Sequence, residues 1–538
     1  MKTNNRRKIL YILSAFGMML FFPALSSGQQ SKIVKELVRG ITVKTPSIVA
    51  KGIPKEYLKL SLGASGRIPV SPITDRVQYS RSRTSKIPSG ILDTAAIRES
   101  VRIHVDPGMY ERSKETRNIK IRRTTPGEML ARFLKYVNIE SQSQESDIAG
   151  EFPMTEGQIE MAQFLEKEAQ VLGAEVYRSE DAYVYINIPS NTREKVPTLG
   201  ISCHLDFTPE APGKGIIPIV RRNYQGDDIL LGDNRYLRVD SPEGADLKYL
   251  NGKTLIHTDG TTLLGGDDKN GCTIVMSLVE TLLRAGNKMK HGEIQVVFCP
   301  NEDVGLAAER IDTTRFNPDI LFDLDGEGAS EVLAENFTAR SLVVKFVGRY
   351  AHPGTAKQQQ LGDALAAASS FVAAVPLKYR PENTEGREGY IHPWKVSSEG
   401  NDYTVHSRIR YFDKEEGEEF ARILADNIEK MKQNFPHVKV EIVQDILQYE
   451  NVAYNMHPES HTIIENAAKN AGVKIEFVSV RGGTTASMFT AKGLRGGMCL
   501  FTGQHAIHSV HEYSVLEEMY DSYRIMLQVV SLVARLKG

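Results

Sequence analysis

The amino-acid sequence predicts an α/β fold in which a mostly parallel sheet is flanked by helices and interrupted by a smaller α+β domain. The chain has 538 residues, too many for a single hydrophobic core, so more than one domain is expected. Between residues 124 and 336, short β-branched runs alternate with amphipathic stretches, which is typical of a parallel sheet covered by helices. After Asn336 the order of elements changes, and helix–strand units resume near residue 453.

Two helices precede the strands of the predicted parallel sheet. Thr125, Pro126 and Glu128 have the types and spacing of a helix N-cap, a first-turn proline and a capping-box acid. Thr155 with Gln158 opens a second helix in the same way. The strand candidates that follow are YVYINI, TLGISCHLD, EIQVVFCP and ILFDLD, with the helix CTIVMSLVETLLRAG before the third of them.

The segment after Asn336 predicts a different sheet. SLVVKFVG, GDALAAASSFVAAV, a strand region ending at TVHSRIRYFD, EEGEEFARILADNIEKMKQ and VKVEIVQDIL give the order β-α-β-β-α-β. That order is typical of a ferredoxin-like α+β domain, here expected to be an inserted lid. The predicted segments are residues 1–28, 29–123, 124–336 (catalytic, first part), 337–452 (lid) and 453–538 (catalytic, second part).

Residues 1–28 have the pattern of a removable export signal. A basic segment with Arg6 and Arg7 precedes an apolar stretch from Ile9 to Phe22, and small residues follow Pro23. A membrane anchor is the alternative, but the apolar stretch is shorter than the roughly 20 residues that span a bilayer. The paired arginines also allow a twin-arginine signal. We therefore expect an exported protein, periplasmic or extracellular, without a membrane span after removal of the signal.

The charge of the chain is unevenly distributed around a net value of −1. Residues 1–28 carry +4, and residues 29–123 carry 20 Lys and Arg against 8 Asp and Glu, so the remainder carries −17. The basic region 29–123 shows no sustained periodicity and is interpreted as an accessory domain, a pro-segment or loose chain. The acidic remainder excludes nucleic acid as the main partner and suits a site that collects divalent cations.

The four cysteines do not have the spacing of a thiolate metal site. Cys203, Cys272, Cys299 and Cys499 each lie in or beside an apolar run, and there is no Cys-x-x-Cys pair. Two disulfides would be compatible with export. We expect four buried, unreactive thiols instead, because their apolar contexts are typical of such residues.

Carboxylates and histidines lie where the apolar runs stop and Gly or Pro begins, which is where an α/β sheet places its ligand-binding residues. They are His204, Asp206, Asp267, Glu302, Asp303, Asp325 and His511. Each taken alone is more often a core histidine, a turn residue or a helix cap. Several acids at successive strand ends would repel one another unless a cation held them, so together they predict a bound metal pair.

The chain resembles the peptidase T family, the tripeptide aminopeptidases among the co-catalytic zinc exopeptidases. The resemblance runs from about Thr125 to the C-terminus. It is carried by HLDFTPE, TDGTTLLGGDDKNG, FCPNEDVG, DLDGEG, AHPGTAK, RGGTT and LFTG with HEY. It implies the sheet and inserted lid of the zinc exopeptidases, short peptides as substrates, and two zinc ions per subunit, with cobalt or manganese as alternatives.

The resemblance also implies a role for each metal ligand. His204 and Asp325 would hold one zinc ion, Asp303 and His511 the other, and Asp267 would bridge them. Glu302 matches the general base of the family, and Asp206 matches the residue that orients the first histidine.

Three lid or substrate-side residues follow from the same resemblance. His352 in AHPGTAK matches a histidine that reaches the neighbouring subunit in related dimers, which implies a homodimer formed through the lid. Arg410 matches an arginine that binds the peptide carboxylate, with Arg408 as a nearby alternative. Arg481 in RGGTT is expected to contact the substrate.

Two positions depart from the family pattern. Asp303 is one methylene shorter than the usual glutamate, and Thr485 replaces a carboxylate. The resemblance implies an aminopeptidase that releases the N-terminal residue of short peptides, especially tripeptides. A carboxypeptidase or deacylase with the same metal site, and a peptide-binding protein with an impaired centre, are the alternatives.

Overall fold

The computed structural model describes residues 121–146, 151–328 and 330–536. The predicted signal 1–28 and nearly all of the predicted basic region 29–123 lie outside these residues. The strands are β1 Glu175–Arg178, β2 Val184–Ile188, β3 Leu199–His204, β4 Ile219–Arg221, β5 Ile229–Gly232, β6 Arg235–Leu237, β7 Leu255–His257, β8 Ile294–Cys299, β9 Ile320–Glu327, β10 Glu331–Asn336, β11 Thr338–Val347, β12 Tyr390–Glu399, β13 Asp402–Tyr411, β14 Lys439–Tyr449, β15 Glu476–Val480, β16 Gly497–His505 and β17 Tyr513–Val515.

Four of the described helices begin at a residue whose side chain caps them: Thr125, Thr155, Asp363 and Thr484. At the first of them the Thr125 hydroxyl accepts the N–H of Glu128 and the Glu128 carboxylate accepts the N–H of Thr125, so the predicted capping box forms. The helices are α1 Pro126–Tyr136, α2 Glu156–Leu172, α3 Gly266–Ala285, α4 Ala356–Gln359, α5 Ala364–Ala373, α6 Lys414–Asn434, α7 Ser460–Ala471, α8 Thr485–Thr490 and α9 Leu516–Val533.

In the described part of the chain, eleven strands form one mixed sheet in the order β1-β2-β8-β3-β9-β16-β17-β7-β4, with β10 beside β16 and β15 beside β10. The central neighbours β8, β3, β9 and β16 are parallel, and antiparallel strands complete the sheet on both sides. Every residue of β3 is buried, as expected for a strand covered on both faces. Because the central strands are parallel, their carboxyl ends meet at one edge. The predicted fold class is confirmed.

Helix α3 lies against this central sheet, and nearly all of its residues are buried. It packs with α1 and α9 in the largest apolar core, which includes Phe133, Ile274 and Met526. Truncating one of these side chains to alanine costs about 2–5 kcal/mol in a packed core. The N-terminus of α3 is thereby fixed beside the carboxyl ends of the strands.

The lid is a four-stranded antiparallel sheet in the order β12-β13-β11-β14, with α5 and α6 on one face. Its elements follow the predicted β-α-β-β-α-β order. The chain enters and leaves the lid at adjacent points, because Asn336 donates its N–H to Asn451 Oδ1 at 3.3 Å and its own Oδ1 accepts the N–H of Val452 at 2.8 Å. The segment that enters the lid is therefore hydrogen-bonded to the segment that leaves it.

Three further features bear on the predictions. The four cysteines are buried and unpaired, as expected. The short strands β4 to β7 were not predicted from the sequence. Among the described residues, no helix is both long enough and apolar enough to cross a bilayer.

Candidate metal centre

The carboxyl ends of the parallel strands carry the predicted cluster. β3 ends at His204, Asp325 lies near the end of β9, and Glu302 and Asp303 follow β8 after two intervening residues. Asp267 lies at the start of α3, where the chain departs from helical geometry before the regular turns begin. The strand-end pattern in the sequence therefore does gather these side chains at one edge of the sheet.

Two sets of potential ligand atoms share Asp267. His204 Nε2 lies 3.0 Å from Asp267 Oδ1 and 3.3 Å from Asp325 Oδ1. His508 Nε2 lies 3.3 Å from Asp267 Oδ2 and 2.9 Å from Asp303 Oδ1. The two oxygens of one aspartate thus face two different groups, each with one imidazole and one further carboxylate.

These separations fit a pair of divalent ions. Ligand atoms held about 2.0–2.2 Å from one tetrahedral zinc ion lie about 3.3 Å from one another. Asp303 Oδ2 is buried and has no hydrogen-bond partner among the described residues, so it retains a free acceptor. Imidazole and carboxylate donors in these numbers are those of co-catalytic zinc sites.

The acidity of the cluster shows why a cation is needed. Burial, together with the charge of Asp267, raises the pKa of Asp325 well above its usual value and that of Asp303 to about 6. Burial also opposes ionisation of Asp267, but His204 and His508 bond its carboxylate and keep its pKa below the usual range. Cations at the two sets would let all three carboxylates ionise together.

Asp206 supports the centre through the backbone. Its Oδ1 accepts the N–H of Glu302 at 3.1 Å, and its Oδ2 accepts the N–H of Asp303 at 3.3 Å. The distance from its Oδ1 to His204 Nδ1 is 3.5 Å, longer than a good hydrogen bond, so its orienting contact with the ring is the weaker one. The structure places Asp206 mainly as an anchor for the turn that carries the two acids.

Glu302 lies on the side of the centre formed by His204 and Asp325. One potential ligand atom from each of these three residues falls within 4.8 Å of the others. Burial raises the pKa of Glu302 well above its usual value, and the charges of Asp325 and Asp303 raise it further. A carboxyl group with a raised pKa beside a reactive water is suited to accept and return a proton near neutral pH.

The histidine that lies beside Asp267 and Asp303 is His508 and not the predicted His511. Among the described residues, no ion pair joins His511 to these carboxylates, and its backbone N–H donates to Ser509 Oγ at 3.2 Å. The physical reason lies in the loop between β16 and β17. His508 has a φ of 59°, a left-handed conformation, and its side chain reaches the centre, whereas β17 begins only two residues after His511.

Two further acids that sequence reasoning missed hold the centre in place. Glu512 accepts the N–H groups of Leu264 and Gly265 at 2.8 Å and of Asp267 at 3.0 Å. Glu210 Oε2 lies 2.9 Å from His508 Nδ1, on the far side of that ring. Both are recognisable only in three dimensions, because neither lies within fifty residues of its partner in sequence.

The centre forms the floor of a cavity of about 1050 Å³ that the lid covers. Arg410 and Tyr449 line it from the lid, and Gly483 and Thr484 line it from the segment after β15. The structure thus places Arg410 at the cavity. Its guanidinium carbon lies 5.9 Å from the centre of the Tyr449 ring.

Two predicted substrate-side residues lie elsewhere. Arg481 is not among the residues that line the cavity, and its guanidinium donates to the backbone of the lid, which corrects the expected substrate contact. His352 is exposed on a lid loop, and its Nδ1 accepts the N–H of Gly354 at 3.1 Å. It does not line the cavity of its own subunit.

The departure at Thr485 also lies away from the cavity. Its side chain is buried at the start of α8, and its Oγ1 has no partner among the described residues. The neighbouring N–H of Ala486 donates to Asp323 Oδ2 at 3.0 Å. Thr485 therefore lies in the buried region next to Asp323 and is not among the residues that line the cavity.

Comparisons with known proteins agree with this fold and identify the family. Residues 257–532 match the family described as peptidase family M20/M25/M40, so the chain belongs to that family. The chain is 34% identical to peptidase T of Listeria monocytogenes over 408 residues, 75% of this chain and 98% of that protein. Peptidase T of Desulfitobacterium hafniense is 34% identical over 411 residues, 76% of this chain and 98% of that protein. Within the family, the chain is a peptidase T-like aminopeptidase.

Solved structures support the fold. An aminopeptidase PepT from Bacillus cereus gives a TM-score of 0.57 at 19% identity and covers 76% of this chain and 99% of that one. A dinuclear metal binding peptidase of the M20 family from Bacillus subtilis gives a TM-score of 0.52 at 11% identity, over 76% of this chain and 98% of that one. The resemblance and the enzyme class predicted from the sequence are confirmed.

Proposed function

We propose that this protein is a dizinc aminopeptidase that hydrolyses the N-terminal peptide bond of tripeptides. The observation that carries the proposal is the position of Asp267, whose two oxygens face separate histidine–carboxylate sets. A single carboxylate shared in this way is suited to bridge two ions. The relatives named peptidase T support a peptide substrate.

His204, Asp325 and Asp267 Oδ1 would hold one zinc ion, and His508, Asp303 and Asp267 Oδ2 the other. When bound, the ions would lower the pKa of a water molecule and polarise the carbonyl of the peptide bond. The shorter side chain of Asp303 suffices for this role, because its Oδ1 already lies 2.9 Å from His508 Nε2.

Glu302 would act as the general base and then as the general acid. It would take the proton of the attacking water and deliver it to the nitrogen of the leaving peptide. Asp206 accepts the backbone N–H of Glu302 and so holds in place the turn that carries the Glu302 carboxyl group. The amino acid released is the one that carries the free α-amine.

Arg410 would bind the C-terminal carboxylate of the substrate, since a guanidinium forms two parallel hydrogen bonds with a carboxylate. It lines the cavity from the lid, opposite the metal centre on the floor. A fixed distance between the two would favour peptides of one length.

We also propose that the protein is a homodimer formed through the lid. β14 is an edge strand of the lid sheet, and Ile442 and Val443 on it are 55% and 61% exposed. An apolar edge of this kind is suited to pair with another strand. In such a dimer the exposed His352 would be available to stabilise the oxyanion in the partner's site. Sedimentation of the wild type and of Ile442→Lys tests this, and an unchanged mass would contradict the lid interface.

Export is proposed from residues 1–28 alone. The basic start, the apolar stretch and the small residues after Pro23 support a cleaved signal. N-terminal sequencing of the mature protein, with cell fractionation, tests it. A mature chain that retains Met1 and remains in the cytoplasm would contradict export.

The function itself is tested with the purified protein at stoichiometric zinc. A free tripeptide, its N-acetylated form and its C-terminal amide are incubated separately, and the products are identified by mass. The proposal expects release of the N-terminal residue from the first substrate and none from the acetylated form. Cleavage of the acetylated form alone would favour a deacylase or carboxypeptidase, and tight binding without cleavage would favour peptide capture. Chelation should abolish turnover, and added zinc should restore it.

A further inference from the structure

Arg481 connects the catalytic domain with the lid. It follows β15 directly, and its Nη1 donates to the carbonyl oxygens of Gly386 at 3.1 Å and Glu388 at 2.9 Å. Its Nη2 donates to Thr384 Oγ1 at 2.7 Å. Three hydrogen bonds from one guanidinium therefore cross the boundary between the domains, to a loop that belongs to the lid.

Aromatic rings at the base of the lid also pack against Arg481. Its guanidinium carbon lies 5.0 Å from the centre of the Phe337 ring and 5.6 Å from that of Tyr390. Phe337 is fully buried and lies at the point where the chain enters the lid. A guanidinium that is hydrogen-bonded and stacked at once is strongly oriented, because its planar fork leaves it little freedom.

A second arginine makes the reciprocal connection. Arg387, in the same loop of the lid, forms ion pairs with Glu335 on β10 of the catalytic sheet and with Asp413 of the lid, the latter at 3.2 Å. The same short loop thus accepts hydrogen bonds from Arg481 of the catalytic domain, and its own Arg387 pairs with Glu335 of that domain. We name residues 384–388 the lid loop.

The segment that carries Arg481 also forms part of the active-site wall. Gly483 lines the cavity and lies so close to Tyr449 that a Cβ atom there would come within 2.6 Å of the ring. The four residues from Arg481 to Thr484 therefore contact the lid at two places, the lid loop and the end of β14.

Both contacts flank Arg410. Tyr390, against which Arg481 packs, is paired with Arg410 across β12 and β13. Tyr449, against which Gly483 packs, lies beneath the Arg410 guanidinium. A rotation of the lid relative to the catalytic domain would move Arg410 away from the metal centre, and the Arg481 contacts oppose that rotation.

We infer that Arg481 is a positioning residue that holds the lid at the angle at which Arg410 faces the metal centre. It thereby sets the peptide length that the enzyme accepts. The kinetic part of this inference rests on the proposed aminopeptidase function. The structural part, the fixed lid angle, does not depend on it.

The lid angle is measured first, without any substrate. Spin labels are placed on exposed positions of the two domains, at Glu160→Cys on α2 and Lys430→Cys on α6. The four native cysteines are buried, so labelling is confined to the introduced ones. The wild-type background should give one narrow distance distribution, and Arg481→Gln should broaden it. Arg481→Lys, which keeps the charge but lacks the planar fork, should broaden it less.

Arg315→Gln is the matched control. Arg315 also pairs with an acid, Asp312, and packs on a ring, Tyr177, at 3.8 Å, but all three residues belong to the catalytic domain. Its loss should leave the distribution unchanged. Thr384→Val removes a single hydrogen bond without opening a cavity and serves if Arg481→Gln does not fold.

Kinetics then separate positioning from a general structural role. The KM for a free tripeptide should rise about tenfold in Arg481→Gln, the loss expected when a charged hydrogen-bonded contact is withdrawn. The KM for the tripeptide amide, which lacks the carboxylate that Arg410 binds, should change much less. The ratio of kcat/KM for tripeptides to kcat/KM for tetrapeptides should fall as well.

An unchanged distance distribution in Arg481→Gln, with the variant folded, overturns the inference. Equal losses on the free peptide and the amide overturn it too, because they indicate a contact that does not act through Arg410. If the wild type cleaves no tripeptide, the proposed function fails, while the distance measurement still decides whether Arg481 fixes the lid.

Discussion

The carboxylate of Glu512 accepts the backbone N–H of Asp267 at 3.0 Å and thereby fixes, from behind, the aspartate that the two ligand sets share. The same carboxylate accepts two further N–H groups, from Leu264 and Gly265, so it closes the turn that starts α3. The resulting position of Asp267 depends on an acid 245 residues later in the chain. Metal binding is therefore coupled to the loop that also carries His508.

Glu512→Gln should weaken metal binding more than it weakens the fold. The amide has one acceptor oxygen where the carboxylate has two, so at least one N–H of the turn loses its partner. We expect a loss of metal affinity of about 10–100-fold, the usual result when a group supporting a ligand is removed. Metal content after dialysis against graded zinc measures it. Affinity equal to that of the wild type would contradict the coupling.

His508→Ala should lose one ion, and His511→Ala should not. His508 Nε2 lies within 3.3 Å of two carboxylates of the centre, whereas His511 has no ion pair with them among the described residues. Elemental analysis of the two variants should give about one and about two zinc ions per chain, respectively. The pair is a matched control, since the same substitution is made three residues apart. The reverse result would restore His511 as the ligand.

Glu302→Gln should abolish turnover while the metal stays bound. The amide cannot accept the proton, and removal of a general base lowers kcat by about 10²–10⁴-fold. Glu160→Gln, on the surface of α2, serves as the control and should retain full activity. Loss of metal in Glu302→Gln would mean that Glu302 is a ligand and not the base.

His505 should make the stability of the protein depend on pH. It is buried between Asp246 and Glu518, at 3.0 and 2.8 Å. Burial lowers its pKa, but the two carboxylates outweigh this effect and raise the pKa to about 9. The folded state thus binds a proton that the unfolded state releases near pH 6.5.

The stabilisation by protonated His505 is complete below about pH 6.5 and is lost as the pH rises through about 9, on the order of 3 kcal/mol in all. Urea unfolding of the wild type and of His505→Gln between pH 6 and pH 9.5 measures the difference. The gap in unfolding free energy between the two proteins should shrink with rising pH. A gap that is constant over this range would contradict a charged His505.

The sequence located the sheet and most of the centre because both follow from local rules. Apolar runs predicted the strands, and the residues after each run, such as His204 and Asp325, reached the predicted edge. The choice between His508 and His511 could not be made in this way. It depends on a left-handed residue in a loop, and no local pattern in GQHAIHSVHEY specifies which histidine adopts it.

Arg481 shows a second limit of sequence reasoning. An arginine followed by two glycines near a catalytic motif is a reasonable substrate contact. Its actual partners, the carbonyls of the lid loop, lie nearly a hundred residues earlier and carry no side-chain signature. Contacts between domains through backbone atoms leave no pattern of residue types that could be read from one sequence.

Asn336 and Asn451, at the two boundaries of the lid, are hydrogen-bonded to each other. The chain leaves and re-enters the catalytic sheet at adjacent points. The lid is therefore an inserted domain that a short linker between the two asparagines would replace. Recombination could exchange such a domain for one of different size without disturbing the hydrolytic sheet. New substrate ranges would then arise by replacing a module, while the chemistry is inherited intact.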